Sequence, residues 1–155
     1  MEERTTMSHI TVGTVKVLDL EALRSAVQSM GCTFVNNQKT YRWFGQYVGD
    51  TKLPDGMTQD QLGKCEHAIK VPGVNYEIGV VRQRDNSFTL AYDFWGDGRG
   101  GHDGQKLLAK FGDKLCRLQQ AYNKQVVTKQ ARAKGYSVIE KTMSNGGIKL
   151  QLIRA

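Results

Sequence analysis

From Gln105 to about Lys134, apolar residues recur every three or four positions, at Leu108, Phe111, Leu115, Leu118, Tyr122 and Val126. That spacing puts all six on one face of an α-helix. A continuous helix of about 30 residues would be about 45 Å long. A chain of 155 residues packs into a body only roughly 35 to 40 Å across. The helix must therefore protrude or break, and the β-branched run Val126-Val127-Thr128 marks its weak point. Gly135 ends it.

The remaining segments are shorter. His9 to Val17 is rich in β-branched residues and reads as a strand, with Gly13 at a bulge. Asp19 is placed to cap a helix whose apolar positions are Leu20, Leu23, Val27 and Met30 and whose end is Gly31. Cys32 to Val35 returns as a short strand. Three more strands follow in quick order, Glu66 to Val71, Asn75 to Arg82 and Phe88 to Trp95, with Asp85-Asn86 turning the last pair. On the third, Phe88, Leu90, Tyr92 and Phe94 share one face that a core must cover. Tyr136 to Thr142 and Ile148 to Arg154 form a hairpin across Asn145-Gly146. These elements predict an α+β fold: a mostly antiparallel sheet, two helices, the second long and basic, and a C-terminal β-hairpin. One domain spans residues 7–155 behind a flexible leader at 1–6, with 36–64 as a loop insertion.

No apolar run is long enough to cross a bilayer, and the N-terminus lacks the apolar stretch of a secretory signal. Cys32, Cys65 and Cys116 are odd in number and widely spaced, which suits reduced thiols in a cytoplasmic compartment. The net charge of +7 is unevenly placed. Up to Gly104 there are 11 Lys/Arg against 13 Asp/Glu, and from Gln105 onward 11 against 2. The whole surplus is C-terminal.

Four stretches together resemble the small proteins grouped as domain of unknown function twelve fifty-seven, found in cyanobacteria, algal plastids, other bacteria and some phages. They are "MSHI" from Met7, "NYEIGVV" from Asn75, "AYDFWG" from Ala91, and the ending from Gln120, "QAYNKQVVTKQARAKGYSVIEKTMSNGGIKLQLIRA". The resemblance spans Met7 to Ala155, is firmest at the C-terminal end and is poor over Asn36 to Lys64. It implies one domain starting near Met7 and no particular reaction. Members often lie beside genes for AAA-type ATPases, which implies a partner of that kind.

The glycine-rich stretch "WGDGRGGHDGQK" from Trp95 invites a phosphate or metal reading and fails both. A Walker loop needs Lys and then Ser/Thr directly after its last glycine, whereas Gly104 is followed by Gln105, Lys106 and Leu107. A dinucleotide fingerprint needs an acid some way on, and after Asp113 the next is Glu140. A calcium loop closes with Glu, and none is present. The stretch reads as a joint, with Asp103 as a helix N-cap and His102 exposed. Cys65 and His67 share a strand face and give at most two metal ligands. No metal, no cofactor and no catalytic residue is expected.

The long helix carries the functional signal. At 100° per residue, Lys106, Lys110, Lys114, Arg117 and Lys124 fall within a sector of roughly 80° beside the apolar stripe. Asp113 is the helix's only acid, so the usual i,i+4 partners are missing and an anionic partner would relieve the repulsion. A second patch, Lys39, Tyr41, Arg42, Trp43 and Tyr47, interleaves basic and aromatic groups as single-stranded nucleic-acid surfaces do. Either aromatic alone reads more simply as packing in the sheet. The expectation is a non-enzymatic module that binds RNA or DNA through phosphates, with Lys106, Lys110, Lys114, Arg117, Lys124, Arg42 and Trp43 as contacts. The alternative is an adaptor or inhibitor that docks an acidic surface on an AAA-type ATPase or, in a phage, on a host factor.

Overall fold

Asp19 starts the first helix as expected. Its backbone is extended, and its side chain accepts the Ala22 N–H at 3.0 Å, filling one of the donors a helix start leaves open. The helix, α1 (Leu20–Ser29), buries Ala22, Leu23, Ala26 and Val27. Gly31 follows at φ +75°, a conformation an L side chain rarely adopts, and lets the Cys32 N–H turn back to the Val27 carbonyl at 3.0 Å.

The computed structural model describes residues 10–12, 16–43, 53, 57–94 and 103–154. The leader at 1–6, the bulge at Gly13 and most of the glycine-rich joint lie outside them. Among the described residues, β1 (Ile10–Val12), β2 (Thr33–Val35), β3 (His67–Lys70), β4 (Ile78–Arg82) and β5 (Phe88–Asp93) form one antiparallel sheet in the order β1-β5-β4-β3-β2. β4 starts three residues later than the sequence predicts because its neighbours' donors go elsewhere. The Asn75 N–H donates to the Asp103 carboxylate at 2.9 Å, and the Glu77 N–H to the Arg42 carbonyl at 2.9 Å. The turn at Asp85-Asn86 forms, with Asn86 at φ +67°.

The predicted apolar face of β5 is covered. Phe88, Leu90 and Tyr92 join Ile69, Ile78 and Val80 under Leu23, Val27, Leu107, Phe111, Leu115 and Leu118. The opposite face is covered as well, which alternation along one strand does not reveal. Register aligns Ala68 with Gly79 and Gly79 with Ala91, so a row of small residues crosses three strands. The ring of Tyr41 lies on it, against Gly79, with Leu62 beside it. A Cβ at Gly79 would run into that ring. Gly79→Val is therefore expected to destabilise the fold by about 1–3 kcal/mol, the usual cost of overpacking, measured by urea unfolding; a neutral result would mean that Tyr41 moves freely off the sheet.

The helical segment is corrected. Three α-helices form among the described residues where periodicity predicts two, because the long one is divided. α2 (Asp103–Phe111) is separated from α3 (Cys116–Ala133) by a 3-10 turn, Asp113–Leu115. The break is at Gly112 (φ +81°), Lys114 (φ +53°) and Leu115 (φ +56°), and the chain runs helically through Val126-Val127-Thr128. Glycine carries the left-handed φ without cost, and three β-branched residues only lower helix propensity slightly. Phe111, Leu115 and Leu118 all reach the core across the break. α3 packs on α1, where the Tyr122 hydroxyl accepts the Leu18 and Asp19 N–H groups at 3.0 and 3.2 Å. The C-terminal hairpin forms from the expected strands, β6 (Tyr136–Thr142) and β7 (Ile148–Arg154), with Tyr136 opposite Arg154 and Thr142 opposite Ile148, and lies against α3.

Candidate functional site

The break redistributes the basic ridge. Lys106 and Lys110 lie one turn apart on α2 and Lys114 on the 3-10 turn, all three exposed. None has an ion pair among the described residues. Lys106 Nζ reaches towards the Gly73 carbonyl at 3.4 Å, and Lys110 Nζ lies 5.8 Å from the centre of the Phe111 ring. Arg117 has a different task. Its guanidinium donates to the Ala109 and Lys110 carbonyls at 3.0 and 3.2 Å, covering acceptors that the end of α2 would leave open. Lys124 is engaged too: its ammonium pairs with Glu140 of β6 at 3.0 Å and its side chain is only 24% exposed. That acid is 16 residues away, so a search for i,i+4 partners misses it.

The second patch separates. Tyr41 is buried against the outer face of the sheet, and Trp43 sets its indole against Gly63. Lys39 pairs with Glu66 at 2.9 Å. Arg42 keeps an exposed side chain, while its backbone N–H donates to the Glu77 carboxylate at 2.9 Å. Tyr47 lies outside the described residues.

Of the glycine-rich stretch, Trp95 to His102 also lies outside them. Asp103 is the first residue of α2, not the cap before it. It is buried, and its carboxylate fixes the Asn75 turn. Among the described residues no group of three His, Cys, Asp or Glu side chains could hold a metal, and no helix is long and apolar enough to cross a membrane.

Cys65 and His67 are used structurally. The Cys65 thiol points at the Gln38 carbonyl, 3.1 Å away, and burial pushes its pKa up to about 11, so it stays protonated at neutral pH. His67 accepts the Asn37 N–H on Nδ1 at 3.0 Å. Burial holds its pKa below the ordinary 6.5. The unfolded chain then takes up a proton that the folded one refuses, so stability is full above pH 6.5 and falls as the pH drops below it. Urea unfolding should show this decline between pH 7.5 and 5.5, and His67→Asn should flatten it; an unchanged slope in the variant would exclude His67 as its source.

One concave region escaped the sequence reading. A cleft of about 800 Å³ lies between the segment Met57 to Glu66 and the turn joining β4 to β5. It is lined by Lys16, Lys64, Arg82 and Arg84 against two acids, Glu66 and Asp85. Asp85 is taken by Lys16 at 2.7 Å, and Glu66 by Lys39 and, more loosely, Arg82 at 3.7 Å. The only sequence signal was the alternation Arg82-Gln83-Arg84 beside a turn.

Comparison of the chain with protein-family models, curated proteins and solved structures finds no match in any of the three.

Proposed function

We propose that the protein is a non-enzymatic accessory module that holds RNA or DNA by its backbone phosphates, with Lys106, Lys110 and Lys114 as the contacts. One observation carries this reading: three exposed ammonium groups follow one another along α2 and its closing turn with no carboxylate partner among the described residues. Like charges spaced one turn apart repel, and a run of phosphates offsets that cost. Arg117 holds the turn that presents Lys114, and Lys124 belongs to the α3–hairpin contact, so neither is counted as a free phosphate contact. Arg42 and Trp43 lie apart from the ridge in sequence and serve at most as a second contact. Fluorescence anisotropy with labelled single-stranded RNA, repeated with DNA, is the test. Three phosphate contacts should give a slope of roughly −2 to −3 in log affinity against log salt. Absence of binding at low salt would remove this reading.

A second reading, docking to a protein, is favoured by the C-terminal hairpin. Its face away from α3 carries Ile139 and Ile153, each 41% exposed, beside Lys141 and Lys149, which stand directly opposite each other. Opposed like charges destabilise a strand pair, so an acidic surface with apolar anchors suits this face. An AAA-type ATPase is the partner that the family resemblance implies. A partner lost on Ile139→Asp replacement, with RNA affinity unchanged, would favour this second reading.

A further inference from the structure

The cleft beside the β4–β5 turn is independent of the ridge. Its wall residues Val81 and Thr89 belong to the outer face of the sheet, in the same alternation as Gly79 and Ala91, whereas α2 and α3 cover the inner face. Among the described residues its charge does not cancel. Lys16 is matched by Asp85, and the Glu66 carboxylate is shared between Lys39 and Arg82. Lys64 and Arg84, one from each wall, have no ion pair among the described residues. Both acids are held as carboxylates by these contacts, with pKa values below their ordinary range. The protonated Cys65 thiol adds no negative charge. Met57 and Val81 supply apolar surface to the same lining.

A concave site of this size suits a small molecule, and its lining is mainly polar and charged, with Met57 and Val81 as its apolar part. Two cations with no ion pair among the described residues, one of them a guanidinium able to bond a phosphate through two N–H groups, select an anionic head; Met57 and Val81 select a flat or apolar body. We propose that this cleft binds a small phosphorylated organic molecule of nucleoside monophosphate size, its phosphate between Lys64 and Arg84 and its body against Met57 and Val81. The site stands whether or not the ridge binds nucleic acid.

Titration calorimetry with adenosine monophosphate, adenosine and inorganic phosphate on the full chain tests this. The monophosphate should bind, phosphate should compete with it, and adenosine should bind at least tenfold more weakly. Replacing Lys64 and Arg84 together by Gln should weaken monophosphate binding at least tenfold. Both side chains are exposed, so the variant should fold, and its RNA binding through α2 should be unchanged. Equal affinity for adenosine, or unchanged monophosphate affinity in the double variant, would overturn the proposal. So would a lack of monophosphate binding at millimolar concentration. Loss of RNA binding in the double variant without any monophosphate binding would assign the cleft to a polynucleotide and overturn it as well.

Discussion

Phe111→Ala is expected to destabilise the protein by about 3–5 kcal/mol, the cost of removing a buried aromatic side chain and leaving a cavity. Phe111 is fully buried and closes α2, so its ring is the last core contact before Gly112 turns the chain. Leu115, also fully buried, is the next. Between them the backbone spends Gly112, Lys114 and Leu115 in left-handed conformations, and at the two non-glycine positions that strain costs roughly 1–3 kcal/mol each. Core contacts on both sides of the break must outweigh it. A domain of this size holds only about 5–15 kcal/mol in total, and 1 kcal/mol shifts its Tm by roughly 2–4 °C. The variant should therefore melt on the order of 10 °C lower, and its urea midpoint should fall in step. A loss under about 1 kcal/mol would mean that the ring is not a core contact and that the break is held by something else.

The same segment shows how far the sequence could be read. Capping signals were legible because they are local. Asp19 and Ala22, or Gly31 and Cys32, are a few residues apart, and backbone chemistry at those spacings is nearly fixed. Strand existence was legible through alternation, and strand ends less so, since Asn75 and Glu77 give their N–H groups to Asp103 and Arg42. The helix break was hidden because the steps from Phe111 to Leu115 to Leu118 are helical spacings whether or not the backbone between them is helical. One glycine in such a pattern is commonly tolerated, and only the depth of Phe111 and Leu115 in one core decides otherwise. Tertiary pairing hid the rest. Lys124 with Glu140, Tyr41 on Gly79, and Lys64 facing the same cleft as Arg84 join residues that no periodic pattern relates. The ridge was therefore legible as composition and not as geometry: five cations in one sector became three lysines with no ion pair among the described residues, one guanidinium that covers helix carbonyls, and one ion pair to the hairpin.

Replacing Lys106, Lys110 and Lys114 together by Gln is expected to reduce RNA affinity more than tenfold at 50 mM salt and to remove most of its salt dependence. If three phosphates are neutralised, wild-type affinity should fall roughly 20- to 40-fold between 50 and 200 mM salt, and the triple variant should stay nearly flat over that range. The three side chains are exposed and make no ion pair among the described residues, so circular dichroism should be unchanged. At Lys114, with φ +53°, Gln replaces one non-glycine residue by another and adds no new strain. Arg117→Lys separates charge from structure. It keeps the positive charge and loses the paired donation to the Ala109 and Lys110 carbonyls, so it should cost about 1 kcal/mol of stability and leave the salt slope alone. If Arg117→Lys instead lowers the slope by about one, the guanidinium touches phosphate and its capping role is secondary. If the triple variant keeps both the affinity and the slope of the wild type, the phosphates are held elsewhere, with Lys141 and Lys149 of the hairpin the next cations to replace.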